Sequence, residues 1–148
     1  MERKTKERII WDFLVDRIEN KYGAAALMGN LYAESGLRSN VLEYKWQSSM
    51  GIDSDGYTTG VDSSRYGNFS SDRAGYGLAQ WTLQSRKEKL LNFAKENNTS
   101  ISDLSTQLEY LWMELCSDYP LILEKLKNAD NIKDASDTVL ADFENPQD

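Results

Sequence analysis

Apolar residues return at helical spacing in six separate runs along this chain. From about Thr5 to Tyr22, Ile10, Phe13, Leu14 and Ile18 share one face with Lys, Arg, Asp and Glu between them, which predicts an amphipathic helix. Gly23 is expected to separate it from a second helix, Ala24 to Ser35, marked by Leu27, Met28, Leu31 and Tyr32 and stopped by Gly36 in a left-handed conformation. After Thr82, Ser85 and Glu88 have the spacing of a capping box ahead of Leu90, Phe93 and Ala94, so a helix is expected to about Asn97. Leu104, Leu108, Leu111, Trp112 and Leu115 form the clearest run and predict the central core helix. Pro120 suits the first turn of a short helix carrying Leu121, Ile122 and Leu126. Ile132, Ala135, Val139 and Phe143 mark a last helix, ended by Asn145-Pro146.

Between Leu37 and Gly75 the pattern changes to Gly, Ser, Asp, Asn and Tyr, with no helical period lasting more than a turn. This stretch holds either a short hairpin or a helix capped by Asp53-Ser54-Asp55-Gly56-Tyr57 and running to Val61. No repeat, low-complexity segment or linker divides the 148 residues. The expectation is one mainly α (α+β) domain over 1–148, a helical bundle with an irregular or small-β lobe inserted at about 37–75 and a cleft between them.

Charge and composition narrow the function. A net charge of −7 and the lack of a long basic run argue against a nucleic-acid partner, and no basic helix offers itself to an anionic membrane. Met1 to Ile10 is charged and lacks the apolar core of a signal peptide, and no run approaches membrane-spanning length, so delivery outside the cell is expected to depend on something else. The lone Cys116 makes no internal disulfide and reads as a core thiol beside Leu115. The chain has no histidine, which excludes Ser-His and Cys-His nucleophilic sites and His-bearing zinc sites. No metal or cofactor is expected, and carboxylates must carry the chemistry.

Glu34 is the last acid on the second helix, seven residues after Leu27 and three after Leu31, so it is expected near the apolar stripe and half buried. Burial and the negative end of the helix dipole both disfavour its ionised form, which suits a general acid near neutral pH. A second feature is Gly75-Tyr76-Gly77-Leu78-Ala79-Gln80-Trp81-Thr82. Its glycines allow close approach of a ligand, while Gln80 and Trp81 offer an amide and a flat apolar face, as a sugar requires. Glu43, Asp53, Asp55, Asp62 and Asp72 are candidate partners for Glu34, with Asp72 favoured by its place just before the glycine-rich segment. Tyr44, Trp46, Tyr57, Tyr66 and Phe69 either stack on sugar rings or form a satellite core. Asp53-Ser54-Asp55-Gly56 hints at a calcium loop but lacks the later ligands.

Ala33-Glu34-Ser35-Gly36, followed about forty positions on by Gly75 to Thr82, resembles the paired signature of the lysozyme superfamily, in particular goose-type lysozymes and lytic transglycosylases. The chain is more closely similar to the phage tail lysozyme domains of tail-associated wall hydrolases and related lysins. That likeness continues through Gln80-Trp81-Thr82, Arg86, Leu90, Gln107, Tyr110 and Glu114 to Phe143-Glu144-Asn145-Pro146.

The resemblance implies a peptidoglycan substrate and cleavage of the β-1,4 bond between N-acetylmuramic acid and N-acetylglucosamine, with Glu34 as general acid. Ser35 would steady the acid, Tyr76, Gln80 and Trp81 would line the saccharide groove, and Asp72 would position water. Where many goose-type sequences carry a further acid after the glutamine segment, this chain has Trp81-Thr82. A lytic transglycosylase using Glu34 as both acid and base, and a non-catalytic wall-binding or structural tail module, are the alternatives. The implied place of action is the bacterial wall, reached through a virion, a lysis system or a larger protein.

Overall fold

The computed structural model describes residues 4–143. Its α-helices are α1 (Lys6–Ile18), α2 (Lys21–Ser35), α3 (Tyr44–Met50), α4 (Ser54–Asp62), α5 (Gln84–Glu96), α6 (Leu104–Ser117), α7 (Pro120–Lys127) and α8 (Ile132–Thr138). A π-helical turn, Val139–Phe143, follows α8 directly. The mainly α expectation holds. Two compact units form: Met1–Leu37 with Leu111–Asp148, and Arg38–Tyr110. The second unit therefore takes in α5 and the start of α6 besides the 37–75 stretch. Asn145-Pro146, expected to end the last helix, lies outside the described residues.

In the first unit, Thr5 caps α1 by accepting the Arg8 N–H at 3.2 Å. Ile10, Leu14 and Ile18 are buried, while Phe13 is half-buried beneath the Arg17 guanidinium, 4.4 Å from its ring centre. The break between α1 and α2 falls at Glu19-Asn20, correcting the expectation at Gly23. Glu19 takes a left-handed conformation, and the Asn20 side chain accepts the N–H groups of Tyr22 and Gly23 at 2.9 and 3.2 Å. Its amide also donates to the carbonyls of Lys127 and Ala129, both at 3.0 Å, which anchors the start of α2 to the end of α7. Gly23 instead lies inside α2 where α7 crosses closest. A Cβ there would stand 2.1 Å from the Leu126 carbonyl oxygen.

Leu27 and Leu31 of α2 are buried as expected, but Tyr32 is exposed, and Asn30 takes a buried place by donating to Ala26 O at 2.8 Å and Ser136 Oγ at 3.1 Å. Val139 and Phe143 close this core. Cys116 is exposed, which corrects its reading as a core thiol. Leu111, Glu114 and Leu115 are the buried positions of α6 here, and the residue after Leu115 lies about 100° round the helix from it.

In the second unit, the Asp53 carboxylate caps α4 by accepting the Gly56 N–H at 2.7 Å, so the helical alternative for that stretch is realised and the hint of a calcium loop is explained by a cap. Strand structure is limited, among the described residues, to isolated antiparallel bridges pairing Tyr76 with Leu42 and with Trp81. The α5 helix starts at Gln84 with no side-chain cap, which corrects the expected Ser85–Glu88 capping box by placing Ser85 within the first turn. Among the described residues no helix is long and apolar enough to cross a membrane.

Candidate functional site

Glu34 stands in the last turn of α2. Gly36 ends the helix at φ 62° and donates to Tyr32 O at 2.8 Å, as expected for a left-handed stop. By helical geometry Glu34 is about 20° round from Leu27 and about 40° from Asn30, both buried. Glu34 itself is exposed. The same stripe is covered over the middle of the helix and open at its last turn, which corrects the expected half-burial. The negative end of the helix dipole remains beside the carboxylate. Ser35, implied by the resemblance to steady the acid, is buried and donates to the Leu31 carbonyl at 2.9 Å within the helix.

The glycine-rich segment, in the other unit, is a tight turn. Tyr76 and Trp81 exchange backbone bonds of 3.2 and 3.0 Å, and Gln80 N–H closes the loop on Gly77 O at 3.1 Å. Tyr76 and Trp81 are fully buried, so neither ring lines a saccharide groove as expected. The Tyr76 hydroxyl bonds to that of Thr58, and the Trp81 ring packs against Tyr110, centroids 5.3 Å apart. The Gln80 amide donates to Val41 O at 3.1 Å and Gly77 O at 3.0 Å, tying the turn to the chain before α3.

The two glycines admit neighbouring side chains of the unit itself. A Cβ on Gly77 would lie 2.8 Å from both the nitrogen and the oxygen of the Gln107 amide, and one on Gly75 would lie 2.9 Å from Gln80 Oε1 and 3.1 Å from Glu43 Oε1. Gln107 is fully buried. It donates to Ser39 O at 2.7 Å and Ile101 O at 2.6 Å and accepts the Leu78 N–H at 2.9 Å.

Asp72 is the centre of a buried polar cluster. Its Oδ1 accepts from Lys87 Nζ at 2.6 Å and Ala74 N at 2.9 Å, and its Oδ2 accepts from the Tyr57 and Tyr66 hydroxyls at 2.6 and 2.7 Å. These four bonds occupy the lone pairs of a carboxylate. Asp72 thus has no acceptor site left for a water, and its expected role in positioning one gives way to that of a loop anchor. Lys87, which the sequence reading passed over, also spends all three donors: besides Asp72 it reaches Ala74 O at 2.6 Å and Tyr57 Oη at 3.1 Å.

Burial pulls the Lys87 ammonium below its ordinary range, against the opposing pull of Asp72 and Glu43. Burial likewise pushes the Tyr57, Tyr66 and Tyr76 hydroxyls upward, with the Asp72 charge adding to the effect at Tyr57 and Tyr66. Lys87 lies three residues before Leu90 and seven before Ala94, on the buried stripe of α5. A charge in phase with an apolar stripe is the sequence signal that marks it, and the sequence reading did not use it.

The remaining lobe residues sort by their partners. Tyr57, Tyr66, Phe69 and Tyr76 form a satellite core with ring centroids 5.4 to 6.1 Å apart. Tyr44 is 81% exposed, and the Trp46 indole nitrogen is enclosed without an acceptor among the described residues. Asp62 accepts from Ser100 Oγ at 2.5 Å and Ile101 N at 3.0 Å, and Asp55 accepts from Asn40 at 3.1 Å. Among the described residues no group of three or more His, Cys, Asp or Glu is placed to hold a metal ion.

The family model for phage tail lysozyme matches residues 5–148. No curated protein and no solved structure matches the chain.

Proposed function

Since the chain belongs to the phage tail lysozyme family, whose action on peptidoglycan is lytic, we propose that it is a muramidase cutting the β-1,4 bond between N-acetylmuramic acid and N-acetylglucosamine, with Glu34 as general acid. The observation that carries this reading is the placement of Glu34. It is an exposed carboxyl at the open end of an otherwise buried helical stripe, at the negative end of the helix dipole, in a chain without histidine. Glu34 gives its proton to the glycosidic oxygen as the bond to the anomeric carbon breaks, and water completes the hydrolysis. Gln80 remains a candidate for substrate contact through its partly exposed side chain.

One observation favours a second reading. With the Asp72 carboxylate fully bonded, Glu34 alone as acid and base would give a lytic transglycosylase, closing the muramic acid on itself. Mass spectrometry of the soluble products separates these. Purified peptidoglycan treated with the wild type is expected to yield reducing muropeptides, and Glu34→Gln is expected to yield none. Anhydro ends would favour the transglycosylase. A Glu34→Gln variant as active as wild type would remove Glu34 as the acid, and a wild type that releases nothing from several wall types would leave wall binding.

A further inference from the structure

We propose that a groove beside α7 docks a basic amphipathic peptide segment of a partner protein, apolar on one face and flanked by Lys or Arg. The groove lies wholly within the Met1–Leu37 and Leu111–Asp148 unit, and docking there is a property beyond the muramidase reading.

The phase of α7 creates the groove. Ile122 and Leu126, one turn apart, are buried, which leaves Leu121, Glu124, Lys125 and Asn128, at i, i+3, i+4 and i+7, on another face of the helix. All four line the groove, whose volume is about 810 Å³. Ligand pockets run to about 300–1,000 Å³, so there is room for several side chains. Leu121 is 73% exposed and Pro120 lines the groove beside it, an apolar patch that the described residues leave uncovered. Tyr119 gives the groove a fixed wall, because its ring stands edge-on to buried Phe143 with centroids 5.0 Å apart.

Charge selects the occupant. Asp118, Glu124 and Asp142 line the groove, and Lys125 is the one cation among its described lining residues. A segment that buries apolar side chains here sets its flanks beside a surplus of carboxylates, which favours Lys or Arg and repels acids. A second copy of this chain carries a net charge of −7, and two-fold symmetry would set the same acids against one another. Residues 144–148 hold Glu144 and Asp148 and no cation. Both have the wrong sign, and a cationic helix laid into the groove has the right one.

Fluorescence anisotropy with the full chain and labelled peptides tests this. The probes are an amphipathic Lys/Leu helix, a Glu/Leu helix of the same pattern and a Lys/Ser peptide of the same charge. Wild type is expected to bind the Lys/Leu peptide at least about 10-fold more tightly than either of the others. Leu121→Asp is expected to weaken that binding about 10-fold or more, although it adds a negative charge that attraction between net charges alone would turn into tighter binding. Glu124→Gln with Asp142→Asn should weaken it about 5-fold or more. Glu7→Gln with Asp16→Asn removes as many charges from α1 and should leave it within about 2-fold. All five substituted side chains are exposed, so each variant should fold, which circular dichroism checks.

A wild type that does not bind the Lys/Leu peptide overturns the proposal. So does a Glu/Leu peptide bound as tightly as Lys/Leu, or a Leu121→Asp variant that binds as tightly as wild type. Equal losses in the two double variants would reduce the effect to net charge and overturn it as well. Two further outcomes name other occupants and also overturn it. A wild-type dimer in sedimentation that Leu121→Asp makes monomeric assigns the groove to a second copy, and peptide binding that appears only after residues 144–148 are removed assigns it to the chain's own end. No glycan enters these measurements, so their failure and that of the muramidase reading are separately visible.

Discussion

The Lys87 ammonium lies 2.6 Å from Asp72 Oδ1, and the two side chains are 0% and 7% exposed. Such a pair is a poor source of net stability but is costly to break from one side, because the survivor is left charged and buried. Lys87→Met and Asp72→Asn are each expected to lower stability by about 3–5 kcal/mol. The double variant should cost less than the sum of the two, read as urea midpoints. Where Asp72→Asn remains folded at the assay temperature it should keep the wild-type kind of product, because its carboxylate has no lone pair to offer water. A folded Asp72→Asn with no lytic activity would return Asp72 to the chemistry.

Alkaline pH should act on the same cluster. The hydroxyls of Tyr57, Tyr66 and Tyr76 are pushed upward by burial, so their contribution to stability is complete below the unfolded value of about 10 and is lost as pH rises beyond it. The Lys87 ammonium, pulled downward, acts in the opposite direction, its cost fading as pH rises toward about 10.4. Ultraviolet titration should therefore leave Tyr57, Tyr66 and Tyr76 unionised until the fold gives way, and thermal midpoints should fall above about pH 10. All eight tyrosines ionising together in the folded protein would refute this account.

Gly77 and Gly29 make a matched pair. At Gly77, φ is +79° and a Cβ would stand 2.8 Å from an amide that is itself held at both ends, so Gly77→Ala is expected to cost about 2 kcal/mol or more. Gly29 lies within α2 with nothing within 4 Å of the added carbon, so Gly29→Ala should gain about 0.5–1 kcal/mol. Chemical denaturation of both variants checks the signs.

Gln107 bonds three backbone groups from separate stretches, and Gln107→Met keeps most of its volume while leaving Ser39 O, Ile101 O and Leu78 N–H without it. At about 1–3 kcal/mol for each buried group left unsatisfied, the loss should be at least about 3 kcal/mol. Native-state hydrogen exchange should show the Leu78 amide losing protection. Retained protection there would mean that another acceptor replaces Gln107.

The sequence by itself determined the helices of strong period, the stop at Gly36 and the family signature running from Glu34 to the glycine-rich turn, because these depend on spacing within a few residues or on matched motifs; it left the Asp53 stretch open between a hairpin and a capped helix. It left α3 unread, since that helix buries no residue and so carries no apolar period. Spacing gives the angle of a side chain about its helix, but coverage of that angle depends on chain distant in sequence. Glu34 therefore shares a stripe with Leu27 and is nevertheless exposed, and Cys116 follows a buried leucine and faces solvent.

Only the tertiary structure decided which polar groups of the second unit are already bonded. The partners of Gln107 lie as far away as Ser39, those of Lys87 include Tyr57 and Asp72, and Glu43 meets Gly75 across 32 residues. Each of these side chains has an ordinary polar identity in the sequence. Whether a carboxylate such as Asp72 is a base or an anchor follows from how many donors the fold brings to its oxygens, and four arrive there from residues dispersed along the chain.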